Sequence, residues 1–124
     1  MALILIVDDA AFTRRMIRKT LVADGHETLE ATNGQEGLDK AIAHQPDCIL
    51  TDMLMPVMDG FQLLAALRDR QINTPVIVIT ADIQENVRQR CRELGGSGFI
   101  NKPPKEAELR RVMGEILACP QETV

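Results

Sequence analysis

The residues DCILTDMLMPVMDG, Asp47 to Gly60, set the pattern that the rest of the chain repeats. Cys48, Ile49 and Leu50 are a short apolar run that reads as a buried strand. Thr51 closes it, and Asp52 stands at its carboxyl end before Pro56 and the Asp59-Gly60 turn. In open α/β sheets that strand edge is where ligands bind. Taken alone, Asp52 is an ordinary loop residue, because Asp is common where strands give way to turns. The chain on either side repeats the pattern.

Upstream, Leu3 to Val7 is a continuous β-prone run that stops at two carboxylates, Asp8 and Asp9. A run without alternation suits a strand buried on both faces. From Ala11 to about Asp24, Phe12, Met16 and Thr20 recur every four residues with Ile17 and Leu21 alongside, which predicts an amphipathic helix ending near Gly25. Glu27 to Ala31 is a short, partly polar edge strand. Asn33 and Glu36 form a capping box for a helix with Leu38, Ala41 and Ile42 on its apolar face, stopping before Pro46.

Downstream, Asp59 and Gln62 cap a helix marked by Leu63, Leu64 and Leu67 that ends before Asn73-Thr74-Pro75. Val76 to Ile79 is β-branched throughout and delivers Thr80 to a strand end. Asp82 and Glu85 are a third capping-box pattern, followed by Val87, Cys91 and Leu94 at helical spacing up to Gly95-Gly96. Phe99, Ile100 and Asn101 form a last strand that ends at Lys102. Leu109, Val112, Met113, Ile116 and Leu117 then mark a helix closed by Pro120. Five strand-helix alternations imply an α/β fold, a doubly wound five-stranded parallel sheet with helices on both faces and right-handed crossovers.

A chain of 124 residues is expected to form one domain, over residues 1–119, with a short tail over 120–124 and no output domain. Its composition, 45% hydrophobic and 26% charged with neither Trp nor Tyr, is globular with an aliphatic core. A net charge of −4 and so few aromatic rings disfavour direct DNA binding. The apolar runs are too short for a membrane span. Cys48, Cys91 and Cys119 form no CxxC pair, which suits a reduced, cytoplasmic protein.

Parallel strands point their carboxyl ends at one rim, so Asp8-Asp9, Asp52, Thr80 and Lys102 are expected to form one site. Three converging carboxylates would raise one another's pKa without compensation. A hard divalent cation on oxygen ligands supplies it, with Lys102 as a fixed charge. Mg²⁺ held by Asp8 or Asp9, Asp52 and a backbone carbonyl would suit an acyl phosphate on Asp52, whose oxygens Lys102 and the Thr80 hydroxyl would bind. Singly, each residue has a duller explanation as a cap, strand end or surface charge. Four of them on one sheet edge do not.

These residues resemble the receiver domain of two-component response regulators, over Leu3 to about Leu117. The matching pieces are ILIVDD at residues 4–9, ILTDMLMPVMDG at 49–60, VIVITA at 76–81 and GFINKP at 98–103. DDAAFTRRMIRK is most similar to single-domain, chemotaxis-type regulators. The resemblance implies the flavodoxin-like strand order 2-1-3-4-5, the order known for the chemotaxis regulator. It implies a phosphorylation switch rather than an enzyme: Asp52 takes a phosphoryl group from a phosphohistidine of a sensor kinase or phosphotransfer protein. Asp8, Asp9, Asp52 and the Leu54 carbonyl hold Mg²⁺, Thr80 moves toward the phosphoryl oxygens, Ala81 leaves room, and Phe99 turns inward as the switch aromatic. A cis Lys102-Pro103 bond is also implied.

Two basic surfaces are expected to face partners. Arg14 and Arg18 on the first helix would meet the phosphodonor; Arg88 and Arg92 would meet a downstream target across the fourth helix, last strand and last helix. The protein would be a monomer or a phosphorylation-dependent dimer. Leu54 stands where a dehalogenase-type phosphatase needs a second acid, and Asp8-Asp9 stand where a flavin carrier needs hydroxyls. A phosphorelay intermediate and a receiver-like module that is never phosphorylated are the remaining alternatives.

Overall fold

The computed structural model describes residues 2–81 and 84–118. Along the chain lie β1 (Leu3–Val7), α1 (Ala11–Ala23), β2 (Glu27–Ala31), α2 (Gly34–His44) and β3 (Cys48–Asp52). After them come α3 (Gly60–Asp69), β4 (Val76–Thr80), α4 (Glu85–Glu93), β5 (Gly98–Asn101) and α5 (Glu106–Ala118). All strand pairings are parallel, in the order β2-β1-β3-β4-β5. This is the predicted doubly wound sheet.

The inner strands are continuous hydrophobic runs because each of their faces meets a helical layer. On one face Leu5, Val7, Ile49 and Val78 pack against Leu38, Leu63, Leu64 and Leu67 of α2 and α3, with Cys91 of α4. On the other, Ile4, Ile6, Leu50, Ile77 and Ile79 pack against Ile17, Leu21, Leu109, Val112 and Met113 of α1 and α5. Cys48 and Cys91 are buried free thiols, and burial pushes the Cys48 pKa up to about 12.

Two helix starts follow their sequence signals. Asp59 and Gln62 form a full reciprocal capping box. Asn33 accepts from the Glu36 N–H, but the Glu36 carboxylate turns back to the Thr32 N–H instead. The third start differs: α4 begins at Glu85 with Gln84 as its cap residue. Asp82, expected to cap it, lies outside the described residues, as do Cys119, Pro120 and the tail.

The buried stripe of α1 also differs from expectation. It runs Thr13, Ile17, Leu21, while Phe12 is 70% exposed and Met16 lies at the surface. Successive helical residues are rotated by about 100°, so a stripe read one position early points past the sheet edge. That rotation carries Arg14 toward the protein and Phe12 toward solvent.

Candidate functional site

Register assembles the site before any side chain is considered. Val7 pairs with Thr51 and Asp52 with Ile79, so Asp8 follows on beside Asp52, and Thr80 lies one step beyond it on β4. Thr80 pairs with Asn101, and its carbonyl accepts from the Lys102 N–H at 3.0 Å. Four strand ends therefore meet at one rim.

Carboxylate oxygens of Asp8, Asp9 and Asp52 all lie within 4.8 Å of one another, with Asp8 and Asp52 buried and Asp9 exposed. Lys102 reaches across to both buried acids, its Nζ 2.8 Å from Asp52 Oδ2 and 3.3 Å from Asp8 Oδ2. The other oxygen of Asp52 accepts from the Met53 N–H at 2.7 Å, and Asp8 Oδ1 accepts from the Ala10 N–H at 2.8 Å. Burial pushes the Asp8 carboxyl above its ordinary pKa, and the Asp52 charge adds to the rise; the Ala10 bond and Lys102 oppose it. Burial pulls the Lys102 ammonium the other way, yet the hydrogen bond and charge of Asp52, helped by Asp8, hold its pKa above the usual lysine value.

The loop after β3 is shaped by its packing against the acceptor strand. Gly60 donates its N–H to the Met53 carbonyl at 2.9 Å, and a Cβ there would sit 2.7 Å from the Asp52 carbonyl oxygen. Glycine is needed because the obstacle is backbone, which cannot swing aside. Leu54 and Val57 in this loop are 80% and 78% exposed, and Val57 has φ +69°, a conformation strained for a β-branched residue. The Lys102-Pro103 peptide is cis.

The expected switch residues lie on the same side of the sheet. Thr80 is buried, Ala81 is exposed, and Phe99 is half-buried on β5. Arg88 and Arg92 of α4 stand over the Phe99 ring at 5.7 and 5.9 Å from its centroid. Beyond the surface charge expected of them, they are the cover of the aromatic, a cation–π role that spacing along α4 alone does not reveal.

Arg14 is placed differently from the open basic face expected of it: its side chain is only 15% exposed, and it hydrogen-bonds the Asp8 backbone carbonyl and Glu30. The signal that places it is its position three residues before Ile17, on the flank of the true buried stripe. Arg18 remains open, at 57% side-chain exposure.

The profile of the response regulator receiver domain matches residues 4–113. The transcriptional regulatory protein SrrA of Staphylococcus aureus is 40% identical over 109 residues, covering 86% of this chain and 45% of the relative. The chain thus spans about half the length of that curated relative. Among solved structures, the chemotaxis protein CheY4 of Vibrio cholerae superposes with a TM-score of 0.88 at 33% identity, covering 94% of this chain and 99% of that one. The Francisella response regulator 1452 receiver domain gives 0.89 at 28% identity, with 94% and 97% covered. Among the described residues no helix is long and apolar enough to cross a membrane. With this fold, this rim of acids and a match over nearly the whole chain, the protein belongs to the response regulator receiver domain family, the phosphorylation-dependent switches of two-component signalling.

Proposed function

We propose that Asp52 is the phosphoacceptor, that it takes its phosphoryl group from a phosphohistidine of a sensor kinase or phosphotransfer protein, and that the surface formed by α4, β5 and α5 carries the resulting signal. The observation behind this reading is the meeting of three carboxylates within 4.8 Å with an ammonium 2.8 Å from one of them. Receiver domains bind Mg²⁺ at an acidic pocket, and an all-oxygen donor set of this charge suits that hard cation. Asp8, Asp9, Asp52 and the Leu54 carbonyl would hold it. Once bound, Mg²⁺ supplies charge stabilisation for the phosphoryl oxygens.

The chain's own groups do the rest. One Asp52 carboxylate oxygen attacks phosphorus as the bond to the donor imidazole nitrogen breaks, and the imidazole leaves with the bonding pair. Lys102, already at hydrogen-bond distance from Asp52, follows the negative charge onto the phosphoryl group. Thr80 turns its hydroxyl toward the new oxygens, with Ala81 leaving room for that movement, and Phe99 turns inward as Thr80 moves. Because Arg88 and Arg92 cover Phe99, its movement alters the charged face a target would meet. On the donor side Arg18, Phe12 and Met16 form the open face of α1; Arg14 is withdrawn from it.

Incubation of the protein with Mg²⁺ and a small acyl-phosphate donor tests this. A mass increase of one phosphoryl group is expected, absent in Asp52→Asn and absent with chelator. The same mass change in Asp52→Asn would place the acceptor elsewhere.

A further inference from the structure

Asp8 is held at every polar atom. Its N–H donates to Ala31, its two carboxylate oxygens accept from Ala10 and Lys102, and its carbonyl accepts from Arg14 Nη1 at 2.6 Å. Only the last of these fixes the carbonyl. A peptide unit is planar, so the Asp8 carbonyl and the Asp9 N–H turn together. A hydrogen bond that sets the Asp8 carbonyl therefore also sets how Asp9 leaves the strand.

Arg14 is itself anchored. Its Nε donates to Glu30 Oε1 at 3.1 Å, and Glu30 sits on β2 opposite Ile6. Lys40 of α2 donates to the Glu30 carbonyl, and Arg18 lies 3.7 Å from the second Glu30 oxygen. A guanidinium bonding two acceptors at once has a fixed direction, which an ammonium lacks. One planar fork thus joins α1, the edge strand and the peptide between two acids.

We infer that Arg14 is a positioning residue of the Mg²⁺ site: through the Asp8–Asp9 peptide it aims both carboxylates at one point. This rests on the phosphoacceptor reading above. Groups that orient metal ligands from behind typically change metal affinity by about 10- to 100-fold when removed.

Charge makes the test sharp. Removing a cation near an acidic site should by itself strengthen Mg²⁺ binding, so weaker binding on loss of Arg14 reports on geometry. Mg²⁺ would be titrated calorimetrically into wild type, Arg14→Gln, Arg14→Lys, Glu30→Ala and Arg15→Gln, with melting curves in metal-free buffer. Arg14→Gln is expected to bind roughly tenfold more weakly or worse. Arg14→Lys should recover part of that loss, and Arg15→Gln, which removes the neighbouring exposed charge, should bind as wild type or better. Wild-type affinity in folded Arg14→Gln overturns the inference, as does an equal loss in Arg15→Gln. If Arg14→Gln does not fold, Glu30→Ala decides: it keeps the arginine but removes the acceptor that anchors its Nε, and unchanged Mg²⁺ affinity there overturns the inference. Absence of Mg²⁺ binding in wild type would instead overturn the functional reading beneath it.

Discussion

Lys102 Nζ lies 2.8 Å from Asp52 Oδ2, joining the residue after the last strand to the residue that ends the central one. The two are 50 positions apart in sequence, and the sheet order brings them together across β4. Lys102→Met would leave the acids without this partner. A loss of about 1–3 kcal/mol is expected by urea denaturation in metal-free buffer at pH 7. The folded-state pKa of Lys102 is raised, so its stabilisation is fully present below the unfolded value of 10.5 and lost as the pH rises through the folded value. The gap between wild type and Lys102→Met should hold up to about pH 10 and narrow above it. A constant gap at higher pH would mean that packing of the lysine stem, not its charge, is responsible.

Asp8 has the opposite effect. Its folded-state pKa is raised above 3.8, so the folded protein binds its proton more tightly than the unfolded chain does. The ionised carboxylate is therefore a stability cost at neutral pH, one that disappears as the pH falls toward 3.8. Asp8→Asn should melt higher than wild type in chelator at pH 7, with the difference shrinking on acidification. Added Mg²⁺ should raise the wild-type melting temperature and leave that of Asp8→Asn nearly unchanged.

Leu54 is 80% exposed beside the acceptor, an apolar side chain with little to pack against. Our hypothesis is that it screens the acyl phosphate from water. Leu54→Asn should change stability by less than about 0.5 kcal/mol, as surface substitutions do, while shortening the phosphoryl half-life. Measurement of dephosphorylation after donor removal checks this; an unchanged half-life rejects the screening role.

Val57 should be improvable. A left-handed backbone costs an L residue roughly 1–2 kcal/mol, and glycine gives back about 0.5–1 kcal/mol of that through its larger unfolded entropy. At φ +69° and 78% exposed, Val57 carries the strain with almost no packing to lose. Val57→Gly is expected to raise the urea midpoint by the equivalent of about 0.5–1 kcal/mol. A lower midpoint would show that the side chain makes contacts worth more than the strain.

Strands and helix types are legible in the sequence because buried parallel strands leave continuous β-branched runs and helices leave a 3.6-residue period. β1 and β2 fall at the expected residues, and β3 and β4 take in Asp52 and Thr80 as their own last residues. Phase is less legible. Periodicity alone puts Phe12 and Met16 inside α1, but Thr13, Ile17 and Leu21 are buried there, because Phe12, Met16 and Val22 beside Ile17 and Leu21 let the apolar residues fit more than one rotation of the helix.

That acids and a lysine stand at strand ends is legible in the residues alone, since each apolar run gives way to them within one or two positions. What each charge faces is set by packing. Arg14 and Arg18 share one face of α1 and both reach Glu30, yet only Arg14, in the first turn, meets the Asp8 carbonyl, while Arg18 one turn on stays open to solvent. Arg88 and Arg92 likewise become the cover of Phe99 only once α4 lies against β5. These partners lie on different elements and meet only through the way the helices pack on the sheet, which residue spacing alone does not specify.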